Sequence, residues 1–124
     1  MSVEENKKSA YRCFEELWNK RNLSLIPEVI AEDYDDGNVK GVEGFKNLAN
    51  NILTSIPDIH FVINDVFGEG DKLAISLTAT GTQTGKVGDT EPTGESINSE
   101  VVFINRYVDG KCVEATSYTR QTSS

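Results

Sequence analysis

The sequence predicts an α+β fold, with N-terminal helices packed on an antiparallel sheet, and three observations predict it. Up to Ile56 the apolar residues recur at helical spacing, and from Asp58 onward they alternate with a period of two. Gly68-Glu69-Gly70-Asp71 and Asp109-Gly110 are hairpin signals that divide the second half into strands. Helices and strands are segregated along the chain, the order of an α+β domain with an antiparallel sheet. A length of 124 residues gives one domain, residues 1–124, able to build a core without disulfides or metal.

The first helix is expected over residues 3–21. Ser2 caps it and Glu5 completes a capping box. Ala10, Tyr11, Phe14, Leu17 and Trp18 share one face, and Asn22 ends the run. A second helix is expected over 24–31, capped by Ser24, with Pro27 early and Glu28 suited to the helix dipole. Residues 32–40 are acidic and broken by glycine, so a short strand or irregular stretch forms around Tyr34. The third helix runs from Gly41 to Ile56, with Phe45, Leu48, Ala49, Ile52 and Leu53 inward and Pro57 as its stop.

Four strands follow, over 58–67, 72–83, 96–108 and 111–120, joined as a meander. Ile59, Phe61 and Ile63 share one face of the first, and Leu73, Ile75, Leu77 and Ala79 one face of the second. Residues 84–95 form a polar loop, and Gln121 to Ser124 fray. The strand 96–108 is apolar on both faces, Val101 and Phe103 on one and Val102 and Ile104 on the other. One face covers the helices; the other is expected to be covered by a second copy of the chain.

Charge narrows the partners. Lys plus Arg is 12 and Asp plus Glu is 20, a formal net charge of −8. Nucleic acid and anionic membrane surfaces both need clustered cations, so neither is expected as a partner. The N-terminus lacks the apolar run of a signal peptide, and no stretch approaches membrane-spanning length. Cys13 and Cys112, far apart in sequence, are read as reduced thiols of a cytoplasmic protein.

Familiar catalytic motifs are absent: no phosphate-binding glycine loop, no nucleophile elbow, no zinc-type histidine pair. Pro92-Thr93-Gly94 with Gly85 and Gly88 reads as a plain loop, because Asp89, Glu91 and Glu95 repel phosphate. His60 falls on the face away from the helices, with Val62 and Asn64. Asp33, Asp35 and Asp36 cluster beside Tyr34, as a solvated acidic turn, a cation site, or a source of one raised carboxyl pKa.

The whole pattern resembles the SnoaL-like polyketide cyclase family, within the nuclear-transport-factor-2-like (cystatin-like cone) superfamily. The matching stretches are Tyr11-Arg12-Cys13-Phe14-Glu15-Glu16-Leu17-Trp18-Asn19-Lys20, Leu25 to Tyr34, Gly41-Val42-Glu43-Gly44-Phe45, Ile56-Pro57-Asp58 and Glu69-Gly70-Asp71-Lys72. The most specific are Thr78-Ala79-Thr80-Gly81-Thr82-Gln83-Thr84-Gly85, Pro92-Thr93-Gly94 and Asp109-Gly110-Lys111-Cys112-Val113-Glu114.

The resemblance implies a cone: helices held in the concavity of a strongly bent sheet, with a pocket at the wide end and dimers or tetramers joined through the outer sheet face. It also implies cofactor-free proton-transfer chemistry. A pocket carboxylate or imidazole closes a ring by intramolecular aldol reaction. Here the sequence departs from the family. Its last strand usually continues after the glutamate with His-Trp-Asp, where this chain has Ala115, Thr116 and Ser117. Gly37 follows Asp36 where a histidine is common, Gln83 replaces another, and Val101 and Phe103 replace polar strand residues.

Phe14, Trp18, Tyr34, Leu77, Val101, Phe103, Ala115 and Ser117 are therefore expected in or beside an apolar pocket for a small hydrophobic molecule. Three readings stay open. The first is a binding protein without catalysis. The second is a cofactor-independent cyclase or isomerase using Asp36 as a relocated base. The third is a protein-interaction module acting through the outer sheet face.

Overall fold

The computed structural model describes residues 2–86 and 91–121. The expected fraying of the last residues lies, for 122–124, outside the described residues, as do Gly88 and Asp89 of the polar loop.

Helix α1 (Val3–Tyr11) starts as the sequence dictates, with Ser2 Oγ accepting the Glu5 N–H at 3.2 Å. The expected regular helix to residue 21 is not what forms. Beyond Tyr11 the chain widens into π-type turns over Arg12–Trp18, where the Asn19 N–H reaches back five residues to the Phe14 carbonyl at 3.1 Å. The wider turn keeps Phe14, Leu17 and Trp18 all buried. Arg21 then takes a left-handed φ of 60° and ends the run. Its guanidinium donates to the carbonyls of Trp18, Pro57 and Ile59, which ties the helix end to the start of the sheet.

The second helix is shorter than expected. Helix α2 (Ile26–Val29) is one turn, preceded by a 3-10 turn over Leu23–Leu25. Pro27 sits at its start as predicted, but the Ser24 hydroxyl donates to the Asn22 side chain and caps nothing. Ile30 is already extended, because Ile30–Asp35 forms strand β1 and its backbone pairs with the last strand. A tertiary ladder thus overrides weak local helix propensity at a β-branched residue. Helix α3 (Gly41–Ser55) matches expectation and buries Phe45 and Ala49. It opens on Gly41 at φ 72°, where a Cβ would lie 3.1 Å from the Glu32 carbonyl oxygen.

Strands β2 (His60–Glu69), β3 (Lys72–Thr82), β4 (Ser96–Val108) and β5 (Lys111–Gln121) form the predicted antiparallel meander. The sheet order is β1-β5-β4-β3-β2, so β1 adds a parallel fifth strand beside β5 and makes the sheet mixed. Three register shifts interrupt it among the described residues: between Ile30 and Asp35 on β1, between Ile63 and Asp65 on β2, and where β5 carries Val113 as an extra residue opposite Arg106 and Tyr107.

The inner face presents Leu73, Ile75 and Leu77 of β3 and Val101 and Tyr107 of β4 to the helices, and these form one core with Phe14, Leu17, Trp18, Ile26 and Phe45. His60 is exposed on the outer face, as the alternation predicts. That face also carries Val62, Phe67, Val102, Ile104 and Tyr118, all exposed. Register makes a band of it, with Ser76 opposite Val102 opposite Tyr118, and Phe67 opposite Ala74 opposite Ile104.

Candidate functional site

Between the helices and the inner face of the sheet lies a cavity of about 270 Å³, just below the usual range for ligand sites. The π-type segment supplies Cys13, Phe14 and Trp18, α3 supplies Phe45, Leu48 and Ile52, and β1 with its following turn supplies Tyr34, Asp36 and Asn38. Inward side chains of the sheet close it: Phe61, Phe103, Asn105, Tyr107, Cys112, Ala115 and Ser117. Ser9, Val29 and Ile30 complete the wall. Strand pairing explains the grouping, since Phe103 lies opposite Ser117, Asn105 opposite Ala115 and Tyr107 opposite Cys112. The extra residue Val113 restores an inward direction to Cys112, which strict alternation from Ala115 would point outward.

Aromatic rings frame the space through edge contacts. Phe61 lies 5.4 Å from Phe14 and 5.5 Å from Trp18, and Tyr34 stands at 88° to Phe45 with centroids 5.5 Å apart. Phe14, Trp18 and Phe103 do not fill the cone; a cavity remains between them.

Of the residues expected from sequence, Phe14, Trp18, Tyr34, Asp36, Phe103, Ala115 and Ser117 line the cavity. Leu77 and Val101 do not. They face each other across β3 and β4 inside the packed core, and the β4 wall of the cavity begins one inward position later, at Phe103. Sequence reasoning missed Ser9, Cys13, Asn105, Tyr107 and Cys112. Asn105 and Tyr107 continue the inward alternation set by Val101 and Phe103, and that signal could have found them.

The acidic cluster does not converge on the cavity. Asp35 Oδ1 accepts the Gly37 N–H at 2.8 Å, and Asp36 Oδ1 accepts the N–H groups of Asn38 and Val39 at 2.8 Å each. These bonds build the turn after β1, with Gly37 at φ 89°, a conformation a histidine would occupy only under strain. Only Asp36 of the three lines the cavity, and its Oδ2 accepts the Tyr34 hydroxyl at 2.9 Å. Among the described residues no group of three His, Cys, Asp or Glu side chains is placed to hold a metal ion. Gln83 lies away from the site, its backbone N–H bonded to the Glu95 carbonyl at 3.0 Å.

The titratable hydroxyls and thiols of the wall are held neutral. Burial pushes the Tyr34 phenol up, and its bond to the Asp36 carboxylate adds to the shift. Burial likewise raises Tyr107 and Cys112, and raises the Cys13 thiol from the usual 9.0 to about 12, opposed in part by the Trp18 side chain. No Lys, Arg or His is among the described lining residues. Such a site suits an uncharged ligand, and proton transfer in it would fall to Asp36.

Comparison with known proteins agrees with this fold. The family model of SnoaL-like polyketide cyclases matches residues 8–122. A proposed SnoaL-like polyketide cyclase from Jannaschia sp. CCS1 superposes with a TM-score of 0.85 at 22% identity, covering 94% of this chain and 86% of its own. AclR of Streptomyces galilaeus, a proposed hydroxylase, gives 0.79 at 25% identity, with 96% and 81% covered. A proposed polyketide cyclase from Bacillus cereus ATCC 10987 gives 0.75 at 29% identity, with 93% and 74% covered. No curated protein matches the chain at significant similarity.

Proposed function

Because this chain belongs to the SnoaL-like polyketide cyclase family, we propose that it binds a small uncharged hydrophobic molecule in the cavity of the cone, without the family's usual acid/base pair. One observation carries the reading: the wall is mainly aromatic and aliphatic, and Ala115 and Ser117 line it at the positions where the family resemblance implies imidazole and carboxylate. A serine hydroxyl with no neighbouring base does not abstract a proton at neutral pH. The reading needs no cofactor. Free Cys13 and Cys112 in the cavity wall support a reducing, cytoplasmic setting. The apolar outer face supports a homodimer built through β4. Among the described residues no helix is long and apolar enough to cross a membrane.

Native mass spectrometry of the protein purified from its source tests the ligand. The expected result is a co-purified neutral molecule that is lost on denaturation. Trp18 is the single tryptophan and lines the cavity, so its fluorescence provides a second readout. No adduct, together with unchanged Trp18 emission across a panel of hydrophobic molecules, would sink the proposal.

A second reading rests on Asp36, the carboxylate that does reach the cavity. In it Asp36 acts as a base toward a carbon acid, with the Tyr34 phenol steadying the carboxylate. Deuterium exchange into a 1,3-diketone probe, followed by NMR, distinguishes the two. Exchange that is catalysed by the wild type and lost in Asp36→Asn favours this reading; no catalysed exchange leaves binding alone.

A further inference from the structure

The cavity runs from a buried floor to a polar rim, and strand pairing gives the direction. β1 and β5 are parallel neighbours, with Ile30 opposite Cys112 and, further along both, Asp35 opposite Glu114. On β5 the lining residues pass from buried Cys112 and Ala115 to exposed Ser117. On β1 and its turn they pass from buried Ile30 and Tyr34 to half-buried Asp36 and exposed Asn38. Both strands therefore leave the core at the same end of the cavity, where solvent reaches it. Deeper polar groups are engaged or out of reach. The Asn105 Nδ2–H donates to the Tyr107 hydroxyl and the Cys112 thiol to the Glu114 carbonyl, each at 3.3 Å, while Ser9 Oγ and Asn105 Oδ1 carry almost no accessible surface. The rim is the end at which a polar group of a ligand keeps both protein partners and water.

The Tyr34–Asp36 pair sets the chemistry there. The Tyr34 proton is given to Asp36 Oδ2 at 2.9 Å, and Asp36 Oδ1 holds the N–H groups of Asn38 and Val39. Oδ2 keeps a free lone pair, and the carboxylate has no proton to offer. Among the described residues no cation lines the cavity to shield it. A ligand hydroxyl donates to Oδ2 in a charge-assisted bond. An ether oxygen sets lone pair against lone pair, and an anion sets charge against charge. Ser117 and the Asn38 amide can donate and accept, so they do not discriminate.

Resting on the binding function proposed above, we infer that Asp36 determines ligand specificity: its Oδ2 accepts a hydroxyl of the ligand at the rim, while the apolar body of the ligand lies among the aromatic rings. The ligand class is a neutral aromatic or alicyclic alcohol or phenol, seated with its hydroxyl toward solvent, and carboxylic acids are excluded.

Three probes share one ring system. 2-Naphthol carries the hydroxyl, 2-methoxynaphthalene has the oxygen without its proton, and 2-naphthoate is an anion. Equilibrium dialysis of each against the purified protein at pH 7 makes the test. Wild type is expected to bind 2-naphthol about tenfold tighter than the ether, and 2-naphthoate more weakly than either. Asp36→Asn keeps an acceptor for the turn and replaces the other oxygen by a donor. It is expected to bring 2-naphthol and the ether within about twofold and to tighten 2-naphthoate. Tyr34→Phe takes the internal donor from Oδ2, so the preference for 2-naphthol is expected to widen by about threefold. The two variants thus move the preference in opposite directions, which a merely structural role would not do, and Tyr34→Phe carries the test if Asp36→Asn does not fold. Equal binding of 2-naphthol and the ether by wild type would overturn the role of Asp36 and leave the binding function standing. So would 2-naphthoate binding as tightly as 2-naphthol, or a preference unmoved by either substitution. If none of the three probes binds, the proposed binding function fails and the role of Asp36 with it.

Discussion

The Tyr34 hydroxyl donates to Asp36 Oδ2 at 2.9 Å, while Oδ1 of the same carboxylate accepts the N–H groups of Asn38 and Val39. One side chain therefore closes the turn after β1 and fixes the phenol in the cavity wall. The relationship makes Asp36 a positioning group before it is anything else. Asp36→Ala is expected to cost about 2–4 kcal/mol in denaturant unfolding, since three hydrogen bonds are lost and one donor is buried. Tyr34→Phe is expected to cost about 1–2 kcal/mol, because the partly exposed carboxylate can take water in place of the phenol. The double variant is expected to fall short of the sum, and strict additivity would show that the two are uncoupled.

Asn19 makes a second long-range tie. Its Nδ2–H donates to the Phe61 carbonyl at 2.7 Å and its Oδ1 accepts the Phe61 N–H at 2.8 Å. β2 is an edge strand, so these backbone groups have no strand neighbour on that side. The carboxamide replaces a strand there, and it anchors Phe61 against Phe14 and Trp18. Asn19→Ala is expected to destabilise the fold by about 1–3 kcal/mol and to speed amide hydrogen exchange at Phe61. Asn19→Asp, which retains only the acceptor, is expected to lie between. Unchanged exchange at Phe61 would show that the tie contributes nothing.

These ties explain which parts of the molecule the sequence made legible. Alternation is a local signal, and it placed β3, β4 and β5 because each inward residue sits two positions from the next. β1 depends on partners more than 70 residues away, since Ile30 lies opposite Cys112. Nothing in Glu32 or Asp33 announces a parallel edge strand. The π-type widening after Tyr11 was equally hidden, because hydrophobic spacing does not separate a four-residue from a five-residue hydrogen bond. At the site, the aromatic residues were legible as apolar inward positions. Cys112 was not, because the extra residue Val113 shifts its face. Ser9 read as an ordinary polar helix residue, and its burial is a tertiary fact.

The raised pKa values set a pH dependence with a defined sign. Cys13 and Cys112 titrate near 9.0 when unfolded, and both thiols are pushed up by burial in the fold. Below pH 9 both states keep their protons, so the thiols leave stability unchanged. Above it the unfolded state loses protons the native state keeps, and stability falls by up to about 1.4 kcal/mol per pH unit for each thiol. Tyr34 and Tyr107 add to the loss above their usual value of 10.0. Urea unfolding at intervals from pH 7 to 10.5 is expected to show a plateau and then a decline beginning near pH 9. Cys112→Ala is expected to flatten the first part of the decline. The thiols are expected to react slowly with iodoacetamide at pH 8 in the native protein and rapidly in urea. A stability curve that is level to pH 10.5 would contradict the buried, neutral state of these groups.

The outer face of the sheet makes the last prediction. Val62 is 50% exposed, Phe67 61% and Tyr118 63%, and Val102 and Ile104 lie beside them on the central strand β4. Large apolar side chains from three strands of one sheet face, β2, β4 and β5, are unfavourable in water, and a second copy packed face to face would bury them. A stable dimer needs about 800 Å² from each partner. Light scattering with size-exclusion chromatography is expected to give a dimer at micromolar concentration. Ile104→Glu sets a carboxylate in the middle of the band, and two-fold symmetry brings its twin close to it. Dissociation is expected to strengthen at least about 100-fold, because each charge is desolvated without a partner. The cavity lies on the opposite face of the sheet, so binding of a hydrophobic ligand by the isolated protomer should persist. A monomeric wild type would remove the dimer, and would leave this band as a surface for another protein.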